Sequence, residues 1–188
     1  PNSTAYRLVG GDLSSAGSWD VWGVRFLAST DCTGDAIPHT ATNAAGSGTY
    51  CSNPSGSDFI NTMCDLNNGP RYGFTGNPQI PSKSYSGVAD DAGAIWLSME
   101  FDAPTEVGCV QVFQKTYQSA GSIGVEARDD DGGSWSLVRT QLHTNACSGT
   151  TCCAIASGDE SFEVSWGCAD VTSISMLPDP PPSPPPPS

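Results

Sequence analysis

Eight cysteines are the residues of this chain with the clearest chemistry. They are Cys32, Cys51, Cys64, Cys109, Cys147, Cys152, Cys153 and Cys168. Their spacing lacks the repeated pairs of a zinc site, since the group from Cys147 to Cys153 has no matching second pair. So many cysteines in 188 residues are typical of disulfides formed in an oxidising compartment. The spacing therefore predicts disulfide bonds rather than a metal centre.

The pairing of these cysteines is not fixed by the sequence, because eight cysteines allow 105 connectivities. Cys32 ends one predicted strand and Cys109 begins another, so we expect a bridge between these two. Cys168 is within reach of either Cys152 or Cys153. Each bridge that closes a long loop contributes about 3–4 kcal/mol in the chain-entropy picture.

Residue patterns for catalysis are missing from the sequence. His39 and His143 are its only histidines, and it has no Gly-x-Ser-x-Gly elbow and no HExxH pair. Carboxylates are numerous enough for a glycosidase pair, so a glycan-active enzyme stays open as an alternative. The run of three aspartates at 129–131 lies in a predicted turn, where carboxylates are usually solvated. We expect a protein that is not an enzyme.

Composition and charge narrow the class of protein further. Charged residues make up 14% of the chain and its net charge is −13, which argues against a nucleic-acid partner. No apolar run approaches the roughly 20 residues that cross a bilayer, so we expect no membrane insertion. The chain begins at Pro1 without a signal peptide, which indicates a processed precursor or a fragment. We expect a secreted, extracellular protein.

Period-two alternation predicts the elements that position these residues. In 95–101, Ile95, Leu97, Met99 and Phe101 fall on one face, and 110–113 and 123–128 alternate in the same way. We expect these to be adjacent antiparallel strands of a β-sandwich. Residues 129–133 read as a hairpin turn, because Asp-Gly and Gly-Gly supply positive φ. After the turn, Trp135 and Leu137 are expected to return to the core.

Other stretches complete the all-β prediction of seven or eight strands without a helix. Strands are expected at 6–9, at 20–28 with Trp22, Val24 and Phe26 on one face, at 161–166, and at 170–177 with Ile174 and Met176 on one face. Residues 29–85 show no convincing periodicity. We expect a long loop there, tied down by disulfides, with short strands near Phe59 or Tyr72 as an alternative.

The last eleven residues differ sharply from the rest. They hold eight of the 15 prolines, so we expect a polyproline II tail at 178–188 and one domain over 1–177. At about 3.1 Å per residue the tail reaches roughly 30–35 Å. A plain linker and a ligand for SH3 or WW domains are the alternatives. Separately, Asn2 begins the sequence Asn-Ser-Thr, an N-glycosylation sequon.

Several motifs resemble a discoidin-type domain, the galactose-binding-like module found in coagulation factors. They are a Trp-containing strand from 96 to 101, a Val-rich strand from 110 to 114, and a strand leading to Asp-Gly-x-x-Trp between 125 and 135. The resemblance covers roughly 6–177 and matches the middle third poorly. It implies an antiparallel jelly-roll β-sandwich with long disulfide-tied loops.

The same resemblance implies a calcium site. The family's short Asp-Gly loop corresponds to 64–69, where Asp65, Asn67 and Asn68 carry the hard oxygen ligands that Ca²⁺ prefers. The family also supplies a C-terminal Glu to this site, and 173–177 holds none. The sequence therefore leaves two alternatives, a chain that binds Ca²⁺ and a chain without a cofactor.

Carbohydrate binding follows from the same jelly-roll expectation. Lectin sites on such folds stack loop aromatics on sugar rings and read the hydroxyls with polar groups. Trp19, Arg71 and Tyr72 are the residues we expect to form such a site. The alternative interpretation is that these aromatic side chains cap the core.

The tail resembles the extensin-type repeat of hydroxyproline-rich glycoproteins, in which a serine precedes four prolines. In plants and green algae such prolines are hydroxylated and carry arabinose. The positions implied for hydroxylation or O-glycosylation are Pro180, Pro181, Pro182, Ser183, Pro184, Pro185, Pro186 and Pro187. The combination resembles green-algal matrix, wall or ciliary-surface glycoproteins.

These observations lead to one main hypothesis of function. The chain is expected to be a structural extracellular glycoprotein module that assembles into a fibre, wall or matrix. Its partners would be copies of itself or other matrix glycoproteins, held through the sandwich and the tail, and carbohydrate. The second hypothesis is a secreted lectin in which the tail is only a spacer.

Overall fold

In the computed structural model of the chain, the residues described are 2–13, 18–40, 43–47, 85–114, 119–129, 133–142 and 171–177. These residues form β-strands joined by turns, and no α-helix lies among them. Within the same residues, no helix is long and apolar enough to cross a membrane. The described part of the chain is therefore all-β, as the sequence predicts.

Nine strands make up this part of the chain. They are β1 (Asn2–Leu13), β2 (Ser18–Leu27), β3 (Ala44–Gly46), β4 (Tyr85–Val88), β5 (Ile95–Glu106), β6 (Cys109–Gln114), β7 (Ala120–Arg128), β8 (Ser136–Leu142) and β9 (Val171–Ser175). Their pairings are antiparallel throughout. One sheet has the order β3-β5-β1-β7-β8 and the other has the order β4-β2-β6-β9.

One apolar core joins the two sheets. Alternate residues of β1, β5 and β7 from the five-stranded sheet meet alternate residues of β2, β6 and β9 from the other. At the centre, the rings of Tyr6, Phe26 and Phe101 contact one another, with centroids 5.3 to 5.9 Å apart. Phe101 meets the other two rings edge-to-face, whereas the planes of Tyr6 and Phe26 are tilted by 44°. Edge-to-face contacts are favourable beyond the area they bury. The architecture is two packed antiparallel sheets.

The predicted alternation is confirmed for several strands. Ile95, Leu97 and Met99 of β5 are buried, as are Ile123 and Val125 of β7. Ile174 of β9 is buried and Met176 packs against the core. β6 departs from the pattern, because all six of its residues are buried, so both of its faces are covered.

The predicted adjacency of the three alternating strands is wrong. β5 and β7 lie in the same sheet but are separated by β1, which pairs with both of them. β6 lies in the other sheet between β2 and β9. Each strand has a buried face whichever strand is next to it, so alternation fixes the face but does not identify the neighbour.

A bulge in β2 changes which residues face the core. Val21 pairs with Gln114 and Gly23 with Phe113, so Trp22 is the extra residue of the strand. Before the bulge Trp19 and Val21 are buried, and after it Val24 and Phe26 are buried. One inserted residue shifts a period-two pattern by one position. The side chain of Trp22 lies outside what the structure describes.

The prediction that Trp135 and Leu137 return to the core is wrong. Leu137 is 65% exposed, and its neighbour Val138 is the residue of β8 that packs against the core. The β7–β8 pairing contains a register shift, because Val125 pairs with Arg139 and Glu126 with Leu137. Leu137 therefore shares the outward face with Glu126, and Trp135 lies on that outer face too, over arginine side chains.

The expected bridge between Cys32 and Cys109 is present. It joins the turn after β2 to the first residue of β6, and the two Cα atoms are 5.2 Å apart. Beside it, Gly108 passes so close to the chain directly after β2 that a Cβ there would lie 2.2 Å from the carbonyl oxygen of Ala28. Gly108 also donates its N–H to Leu27 and accepts from Met176, at 2.8 Å each. This corner is where β2, β6 and β9 are fastened together.

Candidate functional site

The outer face of the five-stranded sheet carries a row of large polar and aromatic side chains. Because the alternate positions face the core, the residues between them face outward. On β1 this residue is Arg7, on β5 it is Trp96, and on β7 it is Arg128. Together with Trp135, just before β8, these residues form what we call the outer-face stack.

Arg7 is at the centre of the outer-face stack. Its Cζ atom lies 4.7 Å from the centroid of the Trp135 ring and 5.6 Å from that of Trp96. Its Nε donates a 2.6 Å hydrogen bond to Oε2 of Glu126, the residue directly opposite on β7. Charged hydrogen bonds and cation–π contacts both favour one fixed orientation of a guanidinium group. Arg7 therefore holds the two indole rings in place.

Arg128 contacts the same indole ring from β7. Its Cζ atom lies 4.7 Å from the centroid of Trp135, and its guanidinium forms an ion pair with Glu100 of β5. Glu100 and Arg128 are both partners of Ala5 on β1, so their ion pair spans this strand. The small side chain of Ala5 is 1% exposed beneath it. Among the described residues, the Nε atom of Arg128 is buried and has no hydrogen-bond acceptor.

Trp96 is fixed at its polar edge by Asp90. The indole Nε1 donates to Oδ2 of Asp90 at 2.9 Å, and Oδ1 of Asp90 accepts from the backbone N–H groups of Ala92 and Ala94. The Ala94 bond, followed by the Trp96 bond, holds the pKa of Asp90 below its ordinary value. Gly93 completes this turn with a φ of 82°. The turn before β5 therefore sets the position of one ring of the stack.

Carboxylates outnumber the cations of the outer-face stack. Two guanidinium groups face three carboxylates, from Glu126, Glu100 and Asp90, so the surface has no positive excess for an anionic ligand. In the described ranges, no group of three or more His, Cys, Asp or Glu residues is placed to hold a metal ion. What the stack offers chemically is binding, through indole rings and N–H donors.

The structure places Trp19, one of the predicted sugar-binding residues, in the core. Its side chain is 0% exposed, and its Nε1 donates a 2.6 Å hydrogen bond to Oε1 of Gln114. Gln114 is itself buried, accepts the N–H of Ala120 and donates to the carbonyl of Ala120, at 3.0 Å each. A ring enclosed in this way has no free face for a sugar. The expectation for Trp19 is therefore corrected, and the core interpretation holds for this residue.

Most other predicted site residues lie outside the described residues. These are Arg71 and Tyr72 of the sugar site, Asp65, Asn67 and Asn68 of the calcium site, the cysteines other than Cys32 and Cys109, and the tail positions from Pro180 to Pro187. Asn2 of the sequon is described and is exposed at the start of β1. The structure therefore does not describe where Arg71 and Tyr72 lie relative to Trp19.

Sequence reasoning missed the outer-face stack, although part of its signal was available. The alternation had put Trp96, Glu100, Glu126 and Arg128 opposite the core. A large aromatic residue at an outward position of a strand is the feature that could have pointed to this surface. Arg7 and Trp135 could not be added, because nothing in the sequence shows that β1 lies between β5 and β7.

Comparison with protein-family models, with curated proteins and with solved structures found no match for this chain. The function is therefore argued from the residues and the geometry described above.

Proposed function

We propose that this chain is a secreted structural module that assembles into an extracellular fibre, wall or matrix. Assembly uses the two-sheet domain together with a glycosylated polyproline II tail at 178–188. We infer that the domain is a discoidin-type jelly roll with disulfide-tied loops. We infer further that the tail is extensin-like, as in green-algal matrix and cell-surface glycoproteins.

The observation that carries this proposal is the junction between a disulfide-bonded sandwich and a proline-rich segment. Leu177, directly before the tail, is 55% exposed and follows β9, an edge strand of the four-stranded sheet. Eight of the next eleven residues are prolines. Polyproline II is stiff and has no internal hydrogen bonds, so it suits a rod that is displayed from a rigid domain.

The Cys32–Cys109 bridge supports an oxidising compartment for the mature protein. It closes a loop of 77 residues and clamps neighbouring strands of one sheet. Loop closure of this length stabilises a domain by about 4 kcal/mol in the chain-entropy account. Such stabilisation suits a module that bears load outside the cell.

The lectin with a spacer tail is the competing proposal. It has lost one candidate residue, since Trp19 is enclosed in the core. The outer-face stack supplies partly exposed aromatic and polar groups in its place, which keeps carbohydrate among the ligands to be tested.

Deleting residues 178–188 separates the two proposals. The full chain and the deletion variant would be secreted from a plant or algal host that hydroxylates proline, with a Gly/Ser tail of equal length as the control. Sedimentation velocity is expected to show higher assemblies only for the natural tail. Intact mass is expected to show added oxygen and pentose on that tail.

Two results would count against the structural role. One is a natural-tail protein that sediments as a monomer at every concentration tested. The other is a glycan array on which both tail variants bind the same sugar as tightly as the full chain, as the lectin proposal requires. Bare prolines in the intact-mass spectrum would remove the extensin-like assignment.

A further inference from the structure

We propose that the outer-face stack is a docking surface for polyproline II, and that residues 178–188 of a second copy of the chain occupy it. The inference rests on the proposed function and names the surface and partner through which assembly would occur. It follows from the donors, the spacing and the charge of Trp96, Arg7, Trp135 and Arg128.

The chemistry of a polyproline rod defines what its binding surface must provide. Proline has no backbone N–H, so a run of prolines presents carbonyl acceptors and ring methylenes but no backbone donors. Known polyproline readers meet such rods with aromatic-lined grooves. A matching surface therefore needs exposed aromatic groups and N–H donors that are not already used.

One N–H group of the outer-face stack is within reach of a ligand. Among the described residues, the indole N–H of Trp135 has no hydrogen-bond partner, in contrast to that of Trp96, which donates to Asp90. Trp135 is partly exposed, whereas the Nε atom of Arg128 is sealed from solvent and cannot be reached by a ligand. A ligand rich in carbonyl groups would satisfy the indole donor, whereas a ligand rich in donors would not.

The limit on the distance between the two rings admits one repeat of polyproline II. Both centroids lie within 5.6 Å of Cζ of Arg7, so the centroids are no more than about 10 Å apart. Polyproline II repeats every three residues, which at about 3.1 Å per residue is about 9 Å. This limit is compatible with contacts of Trp96 and Trp135 to residues i and i+3 on one edge of a rod. The tail has prolines at this spacing, for example Pro181 and Pro184.

The charges of the two partners are compatible. The guanidinium groups of the stack are neutralised by Glu126 and Glu100, so a ligand without strong charge fits better than an anionic one. Residues 178–188 hold a single charged side chain, Asp179. The whole chain carries a net charge of −13, and contact through a segment with so little charge limits repulsion between copies.

A second copy is the better source of the rod than the same chain. The tail starts after β9, at the edge of the four-stranded sheet, whereas the stack lies on the outer face of the other sheet. A stiff rod cannot fold sharply back around an edge strand. Exchange of tails between neighbouring copies would also propagate an assembly, because each copy has one rod and one docking surface.

The test uses the full chain and a fluorescent peptide with the sequence of residues 178–188, made with proline and with hydroxyproline. Anisotropy titrations would compare the natural chain with Trp135→Ala and Trp135→Phe. Truncating a central aromatic contact is expected to weaken binding about tenfold or more. Trp135→Phe keeps a ring but lacks the donor, so we expect an intermediate loss of about threefold.

Leu142→Ala is the matched control, because Leu142 is an exposed apolar residue at the far end of β8. Its affinity for the peptide is expected to stay within about twofold of the natural chain. Circular dichroism and thermal unfolding establish that each variant is folded. If Trp135→Ala does not fold, Trp135→Phe and Trp135→Leu, which removes the aromatic ring and the donor but keeps a large apolar side chain, decide the question.

Three outcomes overturn the docking proposal. They are equal peptide affinity in the natural and Trp135 variants, an equal loss in Leu142→Ala, and Trp135-dependent binding of oligosaccharides with no binding of the peptides. If deletion of the tail abolishes assembly while folded Trp135→Ala leaves it unchanged, the docking surface is wrong and the structural role stands. If the peptide binds at Trp135 but the full chain never assembles, the structural role is wrong.

Discussion

The guanidinium of Arg7 lies over the indole ring of Trp135, with 4.7 Å between Cζ and the ring centroid. This contact joins β1, in the middle of the five-stranded sheet, to the segment that enters the edge strand β8. It therefore fastens the edge of the sheet to its centre on the solvent side.

A double-mutant cycle on Arg7 and Trp135 would measure this contact. Arg7→Lys keeps the charge but loses the planar guanidinium group, which stacks on Trp135 and donates a hydrogen bond to Glu126. We therefore expect the free energy of unfolding to fall by about 1–2 kcal/mol. With Trp135→Leu as the second change, the coupling is expected to be about 0.5–2 kcal/mol in urea unfolding. A coupling indistinguishable from zero would mean that the stacked geometry contributes nothing to stability.

Gly108→Ala tests the close approach at the disulfide corner. A Cβ at this position would lie 2.2 Å from the backbone oxygen of Ala28, so strands must shift to admit it. We expect a loss of about 1–3 kcal/mol in the free energy of unfolding. The control is Gly124→Ala, where the nearest atom is 3.7 Å away and the change should stay below about 0.5 kcal/mol. Equal effects at both glycines would contradict the close approach.

Gln114→Leu tests the buried polar clamp. Leucine fills a similar volume but leaves the indole N–H of Trp19 and the backbone N–H of Ala120 without their acceptor. Unfolding is expected to become easier by about 2–4 kcal/mol, since two buried donors lose their partner. Gln141→Leu is the matched control, because Gln141 of β8 is only half-buried and its side chain donates to the adjacent carbonyl of Leu142; the expected change is below about 0.5 kcal/mol. A well-folded Gln114→Leu of natural stability would refute the clamp.

Asp90 gives a prediction about pH. Its backbone bond from Ala94, followed by its bond from Trp96, lowers the pKa of this carboxyl below the ordinary value of 3.8. The folded state therefore binds its proton less readily than the unfolded state does. The resulting stability is fully present above pH 3.8 and is lost as the pH falls through the lower folded pKa.

Asp90→Asn is accordingly expected to be less stable than the natural chain at neutral pH, with a difference that shrinks in acid. Urea unfolding at a series of pH values measures this, and NMR of the Asp90 carboxyl carbon measures its pKa directly. Asp91→Asn, in the same turn, controls for the loss of one negative charge. A difference that grows as the pH falls would have the wrong sign.

Alternation in the sequence was sufficient to predict the buried faces of β5, β7 and β9. Each of these strands has apolar side chains at every second position, and one face of each meets the core. The Cys32–Cys109 bridge was also predictable, because each cysteine lies at the end of a strand whose limits the pattern marks. Local patterns were therefore enough to predict the buried face and the ends of an individual strand.

The rest depended on contacts between distant parts of the chain. The bulge at Trp22 changes the inward face of β2, and Gly23 is its only local sign. Trp19 lies just before the predicted start of that strand, which is why it looked like a surface residue. The shift between Val125 and Glu126 likewise turns Leu137 outward. The outer-face stack needs the strand order β5-β1-β7, and β1 is about 80 residues from the start of β5. Strand order of this kind comes from packing and not from periodicity.

The position of β1 has a consequence for how the protein is made. Of the described strands β1 is synthesised first, and it is the central strand of its sheet, whereas both of its neighbours are synthesised much later. At about 5–20 residues per second, β1 waits on the order of ten seconds for β5 and β7. Throughout that interval both of its hydrogen-bonding edges are open to wrong partners. A folding chaperone that shelters β1 during synthesis should therefore raise the yield of native protein more than one that acts on the completed chain.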